Sequence, residues 1–505
     1  MGSYIMGIDL GITRIKVSIF NEGGISVASG SATQTLEEPQ PGYMERNPEL
    51  LWQLVSQTIK KVLATFEPGA EAIQAIGICG HGDGAILLDK QARPVRPPIL
   101  SLDERSRTIV SKWVHQELHK GLTYPGMFVR MGNPLPILAW LKKHEAAHYK
   151  KARWLIFTKD WIKLKLTGQV CTDRTDVSAL LLGGVLSEKA RKILQVCNIP
   201  EIEGKLPPIV PGERVCGAVH SQASEMSGLR AGTPVVSGLF DLASSMIGAG
   251  CLKDGDLLVS LGTWGCNAIV RDTLDDWEIE NQTLSGYAYV FESSYILLAP
   301  TPGSVGNIDW FRNAIFAKEP NADGNDFYQY LEKTVTAISP EECNLLYHPY
   351  LYGTNIGTKR YGAFLGLSHH HQKSHLLRAV LEGVAFNHRL QVDILATTGS
   401  IGRVCFSGGG AKSHIWSQIF ADVLNRSLHI PDEESGVLGS AMAAAIGCGW
   451  FSGFREAAGS FARVIQSYEP SAGNIPIYDR RYKEFQSSRA ILSEFWTERA
   501  SHSGD

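Results

Sequence analysis

Two similar strand–turn patterns, separated by half of the chain, constrain the fold more than any other feature of this sequence. Residues 4–20 contain an apolar strand, a glycine turn and a strand with alternating apolar and polar side chains, which predicts a β-hairpin with residues 9–13 at its tip. About 250 positions further on, the apolar run 256–261 leads into a second Gly-Thr turn at 262–263. The repetition indicates a duplicated domain, with chance as the alternative because short glycine turns are common.

Strand and helix patterns alternate along the rest of the chain. Asn47-Pro48 is a typical helix start and is followed by a helix with one apolar face. Residues 75–79 form another short strand, which ends in the Gly-His-Gly-Asp-Gly run at 80–84. This alternation predicts an α/β protein.

The best domain boundary lies near residues 248–250, just after a short run that looks helical. We therefore expect an N-terminal domain of residues 1–247 and a C-terminal domain of residues 248–505. Packing of the last helix of the second domain back across the domain interface is left open.

Composition excludes several classes of protein. At about 150 residues per domain, 505 residues suffice for several domains, and 44% hydrophobic with 20% charged residues is ordinary for a folded chain. The 48 basic and 51 acidic residues give a net charge of −3, so we expect no nucleic-acid partner. No apolar run is long enough to span a membrane. The start lacks the pattern of a secretory signal, and nine scattered cysteines without a C-x-x-C pair predict a reduced, cytoplasmic protein.

The two hairpin tips have the chemistry of phosphate-binding turns. A tight hairpin directs several backbone N–H groups toward one point, which suits phosphate oxygens. In the first tip Gly11 allows the turn, Thr13 adds a hydroxyl donor, and Asp9 supplies a carboxylate for Mg²⁺ or its waters. Gly262 and Thr263 offer the same donors without the carboxylate. Each tip alone favours a purely structural turn, whereas the two together favour binding of a nucleotide phosphate tail.

A third small-residue segment follows an apolar strand at 408–413, with the sequence Gly-Gly-Gly-Ala-Lys-Ser. Small residues here let a flat ring lie on the backbone, as an adenosine would. The segment is not a Walker A loop, because Ala411 rather than glycine precedes Lys412-Ser413, and it lacks the GxGxxG dinucleotide pattern.

Several polar residues stand at the ends of apolar segments, where cleft residues are common. Asp241 looks like a helix N-cap, and capping alone is the alternative to a catalytic role. Asp83, Asp103 and Arg105 lie in runs that would otherwise be ordinary surface loops. The histidines at 369–371 and 375 lack acidic or cysteine partners at metal-ligand spacing. We therefore expect a solvated loop there, with His375 at the start of a helix.

Two longer motifs carry a resemblance to a known family. One consists of residues 362–367 followed, after a gap, by residues 375–382; the other spans residues 132–141 and departs only at Ile137, where many members have lysine. The sequence resembles the FGGY carbohydrate kinases, within the actin-like and sugar-kinase ATPase superfamily, over almost its whole length. The resemblance implies two duplicated ribonuclease-H-like α/β domains flanking an active-site cleft.

Site roles are implied by this resemblance. Asp241 is expected to be the general base in transfer of a phosphoryl group from ATP to a sugar hydroxyl, and Asp9 to hold Mg²⁺. The expected nucleotide-binding residues are Gly11, Thr13, Gly262, Thr263, Gly306, Gly409, Gly410, Ala411 and Ser413. The expected sugar-binding residues are His81, Asp83, Asp103, Arg105 and Asp241.

Within the family, residues 39–46, 99–105 and 231–241 resemble the L-xylulose kinases, which implies a ketopentose substrate. Two departures affect the site: Ile12 replaces a usual threonine, and Asp83 stands where lysine or histidine is expected. Asp83 would favour a neutral ketose or polyol over an acidic sugar, unless it pairs with Arg105. D-xylulose, ribulose, glycerol, erythritol or an aldonate are the alternative substrates, an actin-like nucleotide-gated switch is the non-enzymatic alternative, and a homodimer is left open.

Overall fold

The computed structural model describes residues 2–115, 130–262, 264–273, 284–316, 324–353, 360–432 and 434–503. The chain forms two compact units. The first unit comprises Met1–Leu252, Arg271–Ile296 and Glu433–Arg463, and the second comprises Lys253–Val270, Leu297–Asp432 and Val464–Asp505. The chain thus first leaves the first unit five residues beyond the predicted boundary at 247 and returns to it twice.

The strands are β1 Tyr4–Leu10, β2 Arg14–Asn21, β3 Ser26–Thr33, β4 Ile73–Gly80, β5 Ile86–Leu88, β6 Trp154–Ile156, β7 Thr172–Asp173, β8 Ile209–Val210, β9 Val215–Ala218, β10 Pro234–Val236, β11 Leu239–Phe240, β12 Leu257–Leu261, β13 Gly265–Arg271, β14 Ser285–Ala288, β15 Tyr295–Thr301, β16 Leu346–His348, β17 Ala363–Leu365, β18 Val404–Ser407, β19 Leu428–Pro431 and β20 Val464–Tyr468.

The α-helices of the described residues are α1 Pro48–Ala64, α2 Arg107–His115, α3 Pro134–His144, α4 Ala146–Lys151, α5 Thr158–Thr167, α6 Arg174–Val177, α7 Glu188–Val196, α8 Ser221–Ser227, α9 Asp241–Gly248, α10 Val305–Ala314, α11 Gly324–Thr336, α12 Lys373–Ala396, α13 His414–Leu424, α14 Ser435–Gly447, α15 Phe454–Phe461 and α16 Ile475–Ser503. Short 3-10 turns occur at Ala70–Ala72, Leu182–Gly184, Pro200–Lys205 and Gly409–Lys412.

The main sheet of the first unit has the strand order β3-β2-β1-β4-β10-β9, with β11 also beside β4. β1 and β2 are antiparallel and form the predicted hairpin, while β4 runs parallel to β1, β10 and β11. Apolar residues of β1, β2 and β4 pack against the buried face of α1 to form the core. The alternating sequence thus produces the predicted α/β arrangement.

The sheet of the second unit contains the order β15-β13-β12-β18-β19-β20. β12 and β13 are antiparallel, and β18 runs parallel to both β12 and β19. Each unit therefore contains a hairpin whose first strand has a parallel partner on its other side. This repeated arrangement supports duplication over chance.

Helix α1 shows why these boundaries form where they do. The side chain of Asn47 accepts hydrogen bonds from the backbone N–H groups of Glu49 and Leu50, and Pro48 occupies the first helical position. Both features satisfy the N-terminal end of a helix. The predicted helix start is confirmed.

Within the first unit, helices α9 and α14 are in unusually close contact. A Cβ atom added to Gly439 would lie 1.9 Å from the carbonyl oxygen of Ser244, and one added to Gly248 would lie 1.9 Å from that of Ser435. The Ser244 hydroxyl donates to the carbonyl of Gly436 over 2.7 Å. Glycine at these positions lets the two backbones touch, which holds α9 closely against α14. In the described part of the chain, no helix combines the length and the apolar character needed to cross a membrane.

Candidate active site

Three neighbouring parallel strands of the first unit bring predicted site residues to one edge of the sheet. In the register, Asp9 of β1 and Leu239 of β11 both lie opposite Cys79 of β4. His81 follows the end of β4, and Asp241 follows the end of β11. Because the carboxyl ends of parallel strands meet at the same edge, these polar side chains lie in one region.

Asp241 is the first residue of α9 and is half-buried. The predicted N-cap position is wrong by one residue, because Phe240 occupies the cap position and its side chain makes no capping hydrogen bond. Burial raises the pKa of Asp241 well above its ordinary value, and the charge of Asp9 raises it further. The backbone N–H of Leu242 donates to the carboxylate and opposes this shift only in part. Asp241 is therefore a carboxylate with increased affinity for a proton.

Asp9 is the second carboxylate of this edge and is also half-buried. Burial raises its pKa, while the positive charge of Lys16 and a hydrogen bond from the Cys79 thiol, at 3.4 Å, lower it less. A Cβ atom at Gly436 would lie 2.9 Å from Asp9 Oδ2. Glycine at the start of α14 thus leaves room beside this carboxylate.

These two carboxylates fit a hard divalent cation. Both have raised pKa values, and the charge of Asp9 acts on Asp241, so a cation would relieve their repulsion. Among the described residues, no group of three or more His, Cys, Asp or Glu side chains is placed to hold a metal alone. Mg²⁺ is typically held by one or two carboxylates, water and substrate phosphates, and this edge of the sheet presents two carboxylates.

The predicted phosphate turn lies at the end of the same hairpin. The Gln34 side chain donates to the carbonyl of Gly11, and the Gln34 backbone N–H donates to the carbonyl of Thr13 over 2.8 Å. Arg46 Nη2 donates to the carbonyl of Ile12 over 2.7 Å. All three contacts use carbonyl oxygens of the turn as acceptors, and Thr13 itself is exposed.

A buried network of charged and polar side chains contacts the backbone just before α9. Lys159 Nζ lies 3.0 Å from carboxylate oxygens of both Asp173 and Asp176. Asp173 accepts a 2.6 Å hydrogen bond from the Thr175 hydroxyl, which in turn accepts a 2.9 Å bond from the backbone N–H of Phe240. The network therefore holds the residue that precedes Asp241. Burial raises the pKa of Asp176 to about 8, against the charge of Lys159.

Asp83 is buried and has a left-handed backbone conformation, with φ of 59°, which is rare for a residue other than glycine. Its carboxylate pairs with Arg130, and Arg130 Nη2 also donates to the Tyr287 hydroxyl over 3.2 Å. Burial raises the pKa of Asp83, and Arg130 lowers it less. The alternative pairing with Arg105 is wrong, and the surface-loop alternative is also wrong for Asp83.

His81 is buried beside this group. Its Nε2 atom lies 3.3 Å from Arg46 Nη1 and 3.1 Å from the Thr158 hydroxyl. Burial, together with the charge of Arg46, lowers the pKa of His81 to about 3. The imidazole is therefore neutral at physiological pH, and its buried Nδ1 atom lacks a hydrogen-bond partner in the described structure.

Asp103 and Arg105 form a separate buried network in the first unit. Arg105 donates to Asp103 over 2.8 Å and to Glu45 over 2.6 Å. Asp103 also accepts a 2.7 Å bond from the backbone N–H of Met44, and the guanidinium lies 4.3 Å from the centre of the Tyr43 ring. The charged groups of both residues therefore already have partners within the protein.

In the second unit, most of the predicted nucleotide-binding residues come together. The backbone N–H of Val305 donates to the carbonyl of Gly262 over 3.0 Å, which places Gly306 beside the β12–β13 turn. Gly408 has φ of 94°, and its added Cβ would lie 2.5 Å from the carbonyl oxygen of Leu261. Only glycine fits there. Thr263 lies outside the described residues.

The glycine-rich segment itself has one open position. Gly409 is exposed and has no atom within 4 Å of an added Cβ, whereas Gly410 and Ala411 are buried. Ser413 caps α13 by accepting from the Trp416 N–H over 3.2 Å, and it donates to Glu332. The segment therefore offers an open backbone surface at Gly409, which fits a flat ring, while Ser413 shapes the loop.

The histidines at 369–371 lie in a loop at the second unit's surface. His369 and His370 are exposed, and His371 contacts the Asn344 side chain over 2.6 Å. His375 lies within the first turn of α12, as predicted.

Comparisons with known proteins agree with this geometry. The description "FGGY family of carbohydrate kinases, N-terminal domain" matches residues 4–248, and the corresponding C-terminal domain matches residues 257–448. The chain belongs to the FGGY family of carbohydrate kinases. It is accordingly an ATP-dependent carbohydrate kinase, as the resemblance implied.

Two relatives of this FGGY kinase have similar lengths. It is 32% identical to "Probable L-xylulose kinase" of Pasteurella multocida, covering 97% of this chain and 99% of that protein. It is 30% identical to "L-xylulose/3-keto-L-gulonate kinase" of Escherichia coli, covering 98% of each. Among solved structures, xylulose kinase from Lactobacillus acidophilus matches with a TM-score of 0.88 and 23% identity over 98% of this chain and 99% of that one, which shows the shared fold.

Some side chains that contact the predicted site residues of this FGGY kinase have no clear signal in its sequence. Arg130 comes just before the 132–141 motif but has no pattern of its own, and Tyr287 lies in an unremarkable strand. The polar run Thr158-Lys159-Asp160, separated from β6 by one residue, was the one usable signal, because polar residues that follow a buried strand often line a site.

Proposed function

We propose that this kinase transfers the γ-phosphoryl group of ATP to a hydroxyl of a ketopentose, with L-xylulose as the first candidate, and that Asp241 is the general base. The observation that carries the proposal is the position of Asp241 at the carboxyl edge of the first sheet, with a pKa raised by burial and by Asp9. A catalytic base is most effective when its pKa lies close to the working pH.

In this mechanism Asp241 accepts a hydrogen bond from the sugar hydroxyl and takes its proton as the oxygen attacks the γ-phosphorus in line. The contact of Thr175 with the backbone of Phe240 and the close packing of α9 on α14 keep the carboxylate in place. Such preorganisation orients the hydroxyl even when proton transfer occurs late.

Nucleotide-binding residues are proposed for each unit separately. Gly11 and Thr13 of the first hairpin, and Gly262 with Thr263 of the second, are proposed to donate backbone N–H groups to phosphate oxygens. Gly306 and the 408–413 segment are proposed to hold the adenosine, with the open surface of Gly409 beneath the ring. Asp9 would hold Mg²⁺, which when bound offsets the negative charge of the phosphates.

The sugar is assigned to His81, Asp83 and their partners. Asp103 and Arg105 remain proposed contacts, although their charged groups already bind one another. Because Arg130 neutralises Asp83, the charge of Asp83 alone no longer argues against an acidic sugar. The name of the Escherichia coli relative includes an acidic ketose, so a ketose acid is the second candidate substrate. A cytoplasmic location, a homodimer and a domain division at 247 stay predictions.

A coupled assay of ADP release tests the proposal. The panel should contain L-xylulose, D-xylulose, ribulose, glycerol, erythritol, gluconate and 3-keto-L-gulonate, each with ATP and Mg²⁺. We expect the highest kcat/KM with L-xylulose and little ADP release without a sugar. A clear preference for a polyol or an aldonate would contradict the ketopentose assignment, and sugar-independent turnover would contradict the role of Asp241 as a base for the sugar.

A further inference from the structure

Two cysteine thiols meet in the first unit, outside the candidate active site. Cys171 directly precedes β7, and Cys216 lies in β9, 45 residues further along the chain. Their sulfur atoms are only 3.0 Å apart. A disulfide bond is about 2.0 Å long, so a movement of about 1 Å would join the two sulfurs.

The two thiols differ in a way that suits oxidation. Cys216 is partly exposed, whereas Cys171 is buried. The hydrogen bond with Cys216 and, against the effect of burial, the charge of Lys163 lower the pKa of Cys171 to about 6. The same hydrogen bond raises the pKa of Cys216, which therefore keeps its proton. A thiol with a lowered pKa beside a thiol that keeps its proton can act as the attacking and the resolving cysteine of one pair.

Both cysteines are connected to the backbone that carries Asp241. Cys171 leads into Asp173, which binds the Thr175 hydroxyl and through it the backbone of Phe240. Cys216 belongs to β9, which pairs with β10 just before the chain reaches β11. A bond between the two sulfurs would therefore pull on both segments that position the start of α9.

We propose that Cys171 and Cys216 are a reversible redox pair, in which a peroxide converts the two thiols into a disulfide and slows the kinase. The Cys171 thiolate attacks one peroxide oxygen, the O–O bond breaks, and a sulfenic acid and hydroxide form. The Cys216 sulfur then attacks the Cys171 sulfur, the S–O bond breaks, and water leaves with the thiol proton. Overall, two thiols and hydrogen peroxide give one disulfide and two waters, with two electrons passing from sulfur to oxygen. A dithiol reductant reverses the reaction.

The test uses the full-length protein, reduced with dithiothreitol, desalted and treated with hydrogen peroxide. Free thiols are then blocked with N-ethylmaleimide, and the protein is digested without reduction for mass spectrometry. We expect a linked pair of peptides containing residues 171 and 216, about 2 Da lighter than their sum. We also expect kcat to fall about tenfold, as small displacements of catalytic groups do, and to recover with dithiothreitol.

Variants separate this pair from other thiols. Cys216→Ser should form no such link and should keep its kcat after peroxide, and Cys216→Ala provides a second variant if the serine protein folds poorly. Cys448→Ser is the matched control, because Cys448 is also partly exposed in the first unit and its thiol donates to the Ala445 carbonyl over 3.5 Å. This variant should respond like the wild type.

Three outcomes would overturn the proposal: no 171–216 link in the oxidised wild type, a link that leaves kcat unchanged, or an equal loss of kcat in the Cys216 variants. The linked peptides are detected without any enzymatic readout. A failure of the proposed substrate assignment is therefore distinguishable from a failure of the redox pair.

Discussion

At the scale of single residues, the raised pKa of Asp241 predicts the acid side of the pH profile. A base works only when it is ionised, so kcat/KM should fall with decreasing pH at a point above the ordinary value of about 3.9 for aspartate. Asp241→Asn should abolish this fall in kcat/KM at low pH and should lower kcat by about 10²–10⁴-fold. Steady-state kinetics over a pH series, with ATP affinity from calorimetry, measures both.

The calorimetry provides the control for this variant, since Asp241→Asn should bind ATP almost as the wild type does. Unchanged turnover in the variant would remove Asp241 from the mechanism. A wild-type profile that stays flat down to the ordinary aspartate pKa would contradict the influence of burial and of Asp9 on this carboxyl.

A second residue-scale prediction concerns Arg130, whose side chain is one-third exposed while that of Asp83 is buried. Arg130→Met leaves a buried carboxylate without its cation, which should lower the free energy of unfolding by about 1–3 kcal/mol. It should also raise the KM for the sugar more than it lowers kcat. Adding Asp83→Asn should restore the stability but not the KM. Urea unfolding and sugar kinetics on both variants test this.

If Arg130→Met changed stability and left the KM for every sugar unaltered, Arg130 would be a structural partner of Asp83 and not a sugar contact.

Arg130 also shows which site residues cannot be predicted from the sequence. Asp9 and Asp241 could be found because Asp9 lies at the end of one strand and Asp241 directly follows another, and strand ends are visible in the local pattern. Arg130 contacts Asp83, and Tyr287 contacts Arg130, only through the tertiary fold, and no local pattern encodes such contacts.

At the scale of elements, the contact between α9 and α14 predicts opposite effects of two similar substitutions. Gly439→Ala would place a methyl group 1.9 Å from the Ser244 carbonyl oxygen, so it should destabilise the protein by about 1–3 kcal/mol and lower kcat by displacing α9. Gly459→Ala, in α15, meets no atom within 4 Å and should stabilise by up to about 1 kcal/mol because alanine favours the helix. Thermal unfolding and kinetics of both variants provide the comparison.

Equal effects of these two substitutions would show that α9 and α14 tolerate a wider separation.

The hairpins and α1 could be predicted because alternation and capping are local properties of the chain. The return of Arg271–Ile296 and Glu433–Arg463 to the first unit could not, because it depends on packing between segments far apart in sequence. The glycines that allow α14 to approach α9 have a clear reason only once that packing is known.

At the scale of the whole molecule, the first unit contains a cluster of carboxylates that the fold does not fully neutralise. The charges of Asp9, Asp176 and Asp83 all raise the pKa of Asp241. In contrast, Asp173 is well satisfied, since it accepts from the backbone N–H of Thr175 and binds Lys159. One fold therefore holds carboxylates whose ionised form stabilises it and others whose ionised form destabilises it.

This contrast predicts opposite stability effects for two isosteric substitutions. The pKa of Asp241 is higher in the folded than in the unfolded state, so the folded protein binds more protons and wild-type stability falls as pH rises above the ordinary aspartate pKa. Asp241→Asn removes this cost, so it should unfold at a higher temperature than the wild type at pH 7.5, with a smaller difference near pH 4.5. Asp173→Asn should instead lose about 1–3 kcal/mol at pH 7.5. Calorimetric unfolding of both variants and the wild type at the two pH values tests this prediction. If Asp241→Asn were less stable than the wild type at pH 7.5, the carboxylate of Asp241 would stabilise the fold.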